Sequence, residues 1–289
     1  MRLLLIRHGE SVDNVAGLYA GSRDSSLTNH GVLQAKRLGA HIAGRQSRIG
    51  AISHVFASNL QRASQTAEAI AEACRSSDGA LASSEMLRVI QVEELREKDF
   101  GLSEGKKFGA KVNNDGSETV EQMRTRVHLF LDQSLSPIVD QSAAENATVV
   151  VVAHGIILNH LLKALLLRYL PRSSTSQLAS GRLDSEHLAP WSNTGVLQAR
   201  LDLSEDSASS RLATTRSLHL VVESTNNVDH LHGLKKTRGG IGSASHDSRQ
   251  RTMESFFSSA SRKRKLDDKE PCLADQSQPR KRNSSLSRN

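Results

Sequence analysis

The sequence predicts an α/β fold, a three-layer sandwich around a mostly parallel sheet. Three observations predict it. Short apolar runs at residues 2–6 and 148–152 stop abruptly at polar residues, as strands buried on both faces do. Between such runs lie segments whose apolar residues recur at helical spacing. Strand-like and helix-like segments therefore alternate, the pattern of a sheet covered by helices on both sides. The chain's 289 residues, 37% of them hydrophobic, suffice for one large core or two small ones.

The elements follow in order. Arg2-Leu-Leu-Leu-Ile6 is the first strand. Residues 29–49 form a helix on Val32, Ala35, Leu38 and Ile42, with Thr28 as N-cap. Residues 54–57 are a second strand, 63–74 a second helix and 87–92 a third strand. Residues 119–135 are helical, capped by Ser117, with Val120, Met123, Val127, Phe130 and Leu131 as the apolar stripe. Residues 148–152 are the most β-branched run in the chain. They lead into a helix from Ile156 to about residue 170, which is short and carries Lys163 and Arg168, so it is not membrane-spanning. Residues 196–203 and 217–222 alternate and extend the sheet at its edge, with Ser- and Asp-rich residues 204–210 turning between them. No internal repeat is visible.

Composition excludes several classes. Residues 1–6 are too short an apolar stretch for a signal peptide, and Arg7 ends it. Cys74 and Cys272 lie far apart with no CxxC, which argues against a disulfide framework and a four-Cys zinc site and for a reducing compartment. Residues 1–231 hold 24 Lys and Arg against 25 Asp and Glu, whereas residues 232–289 hold 14 against 6. The net +7 thus belongs to a tail, and the body has no positive field with which to grip nucleic acid. After about residue 231 the pattern gives way to Gly, Ser, Lys and Arg. This predicts a single domain at 1–231 followed by a disordered basic tail at 232–289.

In open α/β sheets, ligands bind at the carboxyl ends of strands. The first strand ends in Arg7-His8-Gly9-Glu10-Ser11. The strand at 148–152 ends in Ala153-His154-Gly155, and the second strand is followed by Ser58-Asn59-Leu60-Gln61-Arg62. A lone His-Gly after a strand is ordinarily a turn, and a lone loop Arg is ordinarily solvated. Their joint placement at successive strand ends is different. Two guanidiniums can clamp a phosphate with paired hydrogen bonds, and an imidazole can attack phosphorus.

These residues carry a resemblance. Leu-Ile-Arg7-His8-Gly9-Glu10-Ser11 with Asn14, then Gly21, Asp24, Leu27, Gly31 and Gln34-Ala35, resembles the histidine phosphatase superfamily, with its phosphoglycerate mutase-like fold. So do Ser58 to Ala67, Leu95-Arg-Glu97-Lys-Asp-Phe-Gly101 with Glu104-Gly105, and Ala153-His154-Gly155, all in order within residues 1–231. The resemblance implies that His8 is the nucleophile and becomes a phosphohistidine. It implies that Arg7, Arg62 and His154 surround the phosphoryl group, that Asn14 contacts it, and that Glu97 is the acid that protonates the leaving oxygen and then activates water. His8 must be neutral at the attacking nitrogen, so its other nitrogen should donate to a fixed acceptor such as a backbone carbonyl. Glu97 must begin protonated. No cofactor and no metal is implied: there is no HExxH and no acidic cluster at ligand spacing.

Mutase and phosphatase differ around Glu97. Cofactor-dependent mutases resemble Glu-Arg-His-Tyr-Gly there, followed by a long Arg-rich insertion. This chain has Glu97-Lys-Asp-Phe-Gly101 and a short segment at 106–116 whose cations are Lys106, Lys107 and Lys111. A short cap favours a phosphatase acting on a small phosphorylated metabolite such as a sugar phosphate. The alternatives are phosphoglycerate mutase-type transfer, or a clamp-binding module with vestigial catalysis.

That last alternative comes from the tail. Gln250-Arg-Thr-Met253-Glu-Ser-Phe256-Phe257 resembles the motif with which replication and repair proteins bind the sliding clamp, proliferating cell nuclear antigen (PCNA). In a 3₁₀ turn Met253 and Phe256 share a side, Phe257 flanks them and Gln250 anchors the turn. Basic clusters at 262–265 and 280–282 suggest nuclear import or loose contact with nucleic acid, and hence a place in nucleus and cytoplasm.

Overall fold

Six strands make the sheet: β1 (Arg2–Arg7), β2 (Ala51–Ser58), β3 (Val89–Val92), β4 (Ala147–Ala153), β5 (Val196–Glu205) and β6 (Arg216–Asn227). The computed structural model describes residues 1–77, 87–110, 116–142, 146–169, 189–205, 216–237, 240–247 and 249. Strand order is β3-β2-β4-β1-β5-β6. The first four strands are mutually parallel, and β5 and β6 run antiparallel at one edge. This is the expected α/β sandwich. Within it, β1 and β4 pair from Arg2 beside Thr148 to Arg7 beside Ala153. The residues that follow, His8 and His154, therefore leave the sheet side by side.

Helices cover both faces: α1 (Val12–Ala16), α2 (Asn29–Ala43), α3 (Gln46–Ile49), α4 (Gln61–Ser77), α5 (Val120–Phe130), α6 (Ser136–Ser142) and α7 (Gly155–Arg168). The two-residue period of the central strands divides the core. Leu3 and Leu5 of β1 with Val149 and Val151 of β4 pack against Val127, Phe130, Leu158 and Leu161 of α5 and α7. Leu4 and Ile6 with Val150 and Val152 face Leu38, Ile42, Ala67 and Ile70 of α2 and α4. A continuous apolar run is what a strand with two buried faces requires.

Several expectations are corrected. The helix at 29–49 breaks: α2 closes at Ala43 with Gly44 as C-cap, and α3 is a separate turn. Thr28 does cap α2, accepting from Gly31 N. The helix at 119–135 starts at Val120, capped by Thr119 and not Ser117. Thr119 Oγ1 accepts from Gln122 N at 3.2 Å while Gln122 Oε1 accepts from Thr119 N at 2.8 Å. Gln122, three residues after Thr119, can close such a reciprocal box, whereas Val120, three after Ser117, has no side-chain acceptor. Val120, at the first helical position, is 51% exposed and leaves the stripe, while Met123, Val127, Phe130 and Leu131 are buried. The helical path then widens into a π turn over Leu131–Leu135 before α6. β2 starts earlier than residue 54, because its pairing with β4 resumes at Ala51–Ile52 beyond a register shift.

The sheet ends at Asn227, but the described chain runs on past residue 231. Residues 232–237 and 240–246 belong to the same compact unit, Met1–His246. Thr28 bridges Ser245, and Asn29 N donates to Ala244 O at 3.0 Å. Backbone pairing of this kind needs few apolar side chains, so composition does not reveal it. The motif Gln250, Met253, Phe256, Phe257, the basic clusters at 262–265 and 280–282, Lys111, Cys272, and residues 170 and 206–210 lie outside the described residues. Among the described residues no helix is long and apolar enough to cross a membrane.

Candidate active site

The site lies at the carboxyl ends of β1, β2 and β4. His8 is 3% exposed and His154 1%. Their rings stand 4.9 Å apart between centroids, tilted by 60°. His8 Nδ1 lies 2.6 Å from Gly9 O. A carbonyl only accepts, so Nδ1 carries the proton in the neutral ring and Nε2 keeps its lone pair. Burial, then the Arg62 and Arg7 guanidiniums, hold the His8 pKa well below 6.5. For His154 burial leads again, followed by Arg62, His8, Arg7 and Arg126. Both imidazoles are thus neutral near pH 7. Among the described residues neither ring nitrogen of His154 has a partner, nor has Arg7 Nε or Arg62 Nε. Buried donors without such partners, beside a neutral imidazole, are suited to receiving an anion.

Arg62, in the first turn of α4, is 1% exposed. Its Nη1 donates to Arg23 O at 2.7 Å and its Nη2 to Gly21 O at 2.8 Å. Arg7 Nη1 donates to Trp191 O at 2.7 Å. Each guanidinium is therefore aimed by backbone carbonyls from a distant loop. Glu104 fixes one of those loops, accepting from Ser22 N at 2.6 Å and Phe100 N at 3.2 Å.

Glu97 sits at the amino end of α7, whose N-cap is His154. Its Oε2 accepts from Ile156 N at 3.2 Å, and its Oε1 from Ile157 N at 3.2 Å and Lys98 N at 3.0 Å. One helix terminus thus carries the His154 ring and the Glu97 carboxylate together. The Glu97 charge also acts on both Arg7 and Arg62. Asn14 is placed more indirectly. Its Oδ1 accepts from Ser11 N at 3.2 Å and from Asn193 Nδ2 at 3.0 Å, and the same Asn193 amide reaches His8 O at 3.2 Å. His8, His154, Arg7, Arg62 and Glu97 therefore converge, with Asn14 on the rim.

Sequence reasoning missed the residues that hold this group. Thr194 adopts φ 57, a left-handed conformation uncommon for a β-branched residue, and its N–H donates to Arg7 O at 3.0 Å and His8 O at 3.2 Å. His230 Nε2 lies 2.9 Å from Thr194 Oγ1. Burial, aided by His41, pushes the His230 pKa down to about 4, so this brace stays uncharged. Arg126 clasps the Glu97 loop, donating to Glu94 O at 2.7 Å and Arg96 O at 2.6 Å while pairing with Glu118 at 2.6 Å. Gly9 is a glycine because a Cβ there would meet Gly31 O at 2.7 Å. No local pattern marks these partners, which come from remote segments.

An open cleft of about 340 Å³ flanks Glu97, lined also by Ser22, Glu93, Arg96, Asp99, Glu118 and Arg126. Its cations are already matched: Arg96 pairs with Glu93 at 2.9 Å and Arg126 with Glu118. A second cavity, of about 280 Å³, is lined by His41, Arg45, Glu223 and others and touches none of the converging residues. Of these two cavities, the cleft at Glu97 touches the converging group, and it does so through Glu97. Among the described residues no His, Cys, Asp or Glu cluster is grouped to hold a metal ion.

The family model described as Histidine phosphatase superfamily (branch 1) matches residues 3–185. A Schizosaccharomyces pombe protein named as a probable phosphatase is 31% identical over 265 residues, covering 88% of this chain and 79% of that protein. The probable phosphoglycerate mutase GpmB of Erwinia tasmaniensis is 30% identical over 233 residues, 72% of this chain and 97% of that one. Among solved structures, mycobacterial glucosyl-3-phosphoglycerate phosphatase in complex with VO3 is similar with a TM-score of 0.54 and 22% identity. The alignment covers 78% of this chain and 98% of that chain, and at that identity the likeness is one of fold.

Proposed function

Because this chain belongs to the histidine phosphatase superfamily and is on that ground a phosphatase-type enzyme, we propose that it hydrolyses a small phosphomonoester through a phosphohistidine on His8. The observation that carries the reading is the paired His8 and His154 rings beside the buried Arg62 and the Arg7 guanidinium, with His8 Nδ1 on Gly9 O. Nε2 attacks phosphorus as the ester P–O bond breaks. Arg7, Arg62 and His154 hold the equatorial oxygens, and Asn14 contacts the group from the rim. The Glu97 carboxylate takes up a proton as the phosphorylated substrate enters beside it, and gives that proton to the departing oxygen. It then takes a proton from the water that breaks the N–P bond.

Hydrolysis is favoured over phosphoglycerate mutase-type transfer by charge at the cleft. A mutase must retain a second phosphate or carboxylate beside the site. Here the cleft cations Arg96 and Arg126 are neutralised by Glu93 and Glu118, and Lys107 Nζ is engaged with Ala16 O at 2.7 Å. The enzyme supplied with 3-phosphoglycerate and catalytic 2,3-bisphosphoglycerate should release free phosphate faster than it forms 2-phosphoglycerate. Faster isomerisation would reverse the assignment. A panel of phosphorylated metabolites, sugar phosphates among them, assayed beside a His8→Ala control identifies the substrate.

We also propose that Gln250, Met253, Phe256 and Phe257 bind the sliding clamp (PCNA), and that the enzyme works in nucleus and cytoplasm. The support is the spacing of the motif and the basic clusters beside it. Burying two Phe and one Met contributes roughly 5 kcal/mol, partly offset by ordering of the segment. Apolar burial of that size gives no better than about 0.2 mM, so micromolar affinity also needs the Gln250 hydrogen bonds and the basic residues 262–265. A peptide of residues 248–265 should bind the clamp in a titration. Phe256→Ala with Phe257→Ala should abolish binding and leave the phosphatase rate of the full chain unchanged. Binding that survives the double change, or that vanishes with salt alone, would reduce the tail to a nonspecific basic segment.

A further inference from the structure

The turn after His8 is gripped by a residue more than 200 positions away. Lys236 Nζ donates to both oxygens of Glu10, at 2.8 and 2.9 Å. Glu10 Oε1 also accepts from Thr28 Oγ1 at 2.8 Å. The Glu10 main chain is held as well: its N–H donates to Gln34 Oε1 at 2.8 Å and its carbonyl accepts from Thr28 N at 2.9 Å. The Glu10 N–H and the Gly9 carbonyl belong to one planar peptide unit, so neither can turn without the other. That Gly9 carbonyl is the acceptor of His8 Nδ1.

We propose that Lys236 is a positioning residue: through Glu10 it holds the Gly9–Glu10 peptide in the orientation that fixes the tautomer and aim of the His8 ring. The proposal rests on His8 being the phosphoryl acceptor. The Glu10 side chain is only 17% exposed and faces Lys236 across the ion pair. Without the ammonium a largely buried carboxylate would lose its cation and turn toward water. That movement pulls on the Thr28 and Gln34 contacts, tilts the peptide and loosens its hold on Nδ1. Lys236 is itself carried by an anchored segment. Arg37 Nη1 donates to His232 O at 2.8 Å before it, and Asn29 Nδ2 to Ile241 O at 2.9 Å and His246 N to Leu27 O at 3.0 Å after it. The segment that follows the sheet is thereby a working part of the site.

The test uses the full chain with Lys236→Met and Lys236→Arg. Histidine labelled with nitrogen-15 reports the His8 tautomer by long-range proton–nitrogen correlation, without reference to activity. In the parent the His8 proton should sit on Nδ1. In Lys236→Met the ring should show a tautomer mixture, and kcat should fall about tenfold or more with KM nearly unchanged. Lys236→Arg, which keeps the charge, should restore both. An unchanged tautomer with unchanged kcat overturns the proposal. So does a kcat loss that follows the melting temperature and is not rescued by Arg, since that marks a brace for the fold alone. If His8→Ala keeps its activity, the phosphohistidine reading fails, while the tautomer measurement still decides whether Lys236 orients the ring.

Discussion

His8→Ala should lower kcat/KM by at least about 10⁴-fold, the scale on which loss of a covalent nucleophile acts in other enzymes. Alanine has no atom that can bond phosphorus, and the neighbouring His154 occupies a different strand end. Brief incubation of the parent with labelled substrate should give an adduct on His8 that acid destroys and base spares, because protonating the imidazole makes it a leaving group. An adduct on Ser11 or Ser58, or full activity in His8→Ala, would remove His8 from the mechanism. The pH dependence follows from the same burial. Burial, with Arg62 and Arg7, places the His8 pKa well below 6.5, so the limb of the rate set by its protonation lies on the acid side of that value. Stability has the same sign. His8 and His154 are neutral when folded, whereas the unfolded chain takes up protons as pH falls through 6.5. Above 6.5 both states are neutral and these groups contribute no slope. Below it they destabilise the fold progressively.

The sheet was legible because both faces of its central strands are buried. Residues 3–6 and 149–152 have nowhere to place a polar side chain, and so declare themselves. The converging side chains were legible for a related reason: Arg7, His8, Arg62 and His154 stand where such strands stop. What the chain does not display is register. Only the pairing of Arg7 with Ala153 brings His8 and His154 abreast. Nor does it display the supports. Arg126 reads as a solvated helix residue, yet it clasps three backbone carbonyls of the Glu97 loop, those of Glu94, Arg96 and Glu97. Thr194 reads as one more polar residue in a turn, and its value lies in an unusual backbone conformation. Lys236 reads as one of many tail cations, and its partner is 226 residues away. Local spacing encodes elements and their ends. It does not encode which distant backbone group a long side chain will reach.

Glu97→Gln should slow turnover of an ordinary alkyl phosphate by about 10²–10⁴-fold, the range over which a positioned acid or base acts. Inorganic phosphate should inhibit nearly as well as before, because Arg7, Arg62 and His154 are untouched. The amide keeps the shape and one acceptor. It therefore preserves part of the contact with Ile156 N and Ile157 N that seats the side chain on α7. What it loses is the capacity to give and take a proton as an acid and base. The two chemical steps then separate by choice of leaving group. An alkoxide cannot depart without a proton, so with an alkyl phosphate the variant stalls before His8 is phosphorylated. Nitrophenolate departs as a stable anion, so with p-nitrophenyl phosphate the first step needs little help. The second step still needs a base to take the proton from water. With that substrate the variant should release a stoichiometric burst of nitrophenolate and then accumulate phosphohistidine, visible by rapid quench. A steady rate equal to the parent's would take Glu97 out of proton transfer altogether. Equal slowing with both substrates and no burst would confine it to placing the amino end of α7, and with it His154.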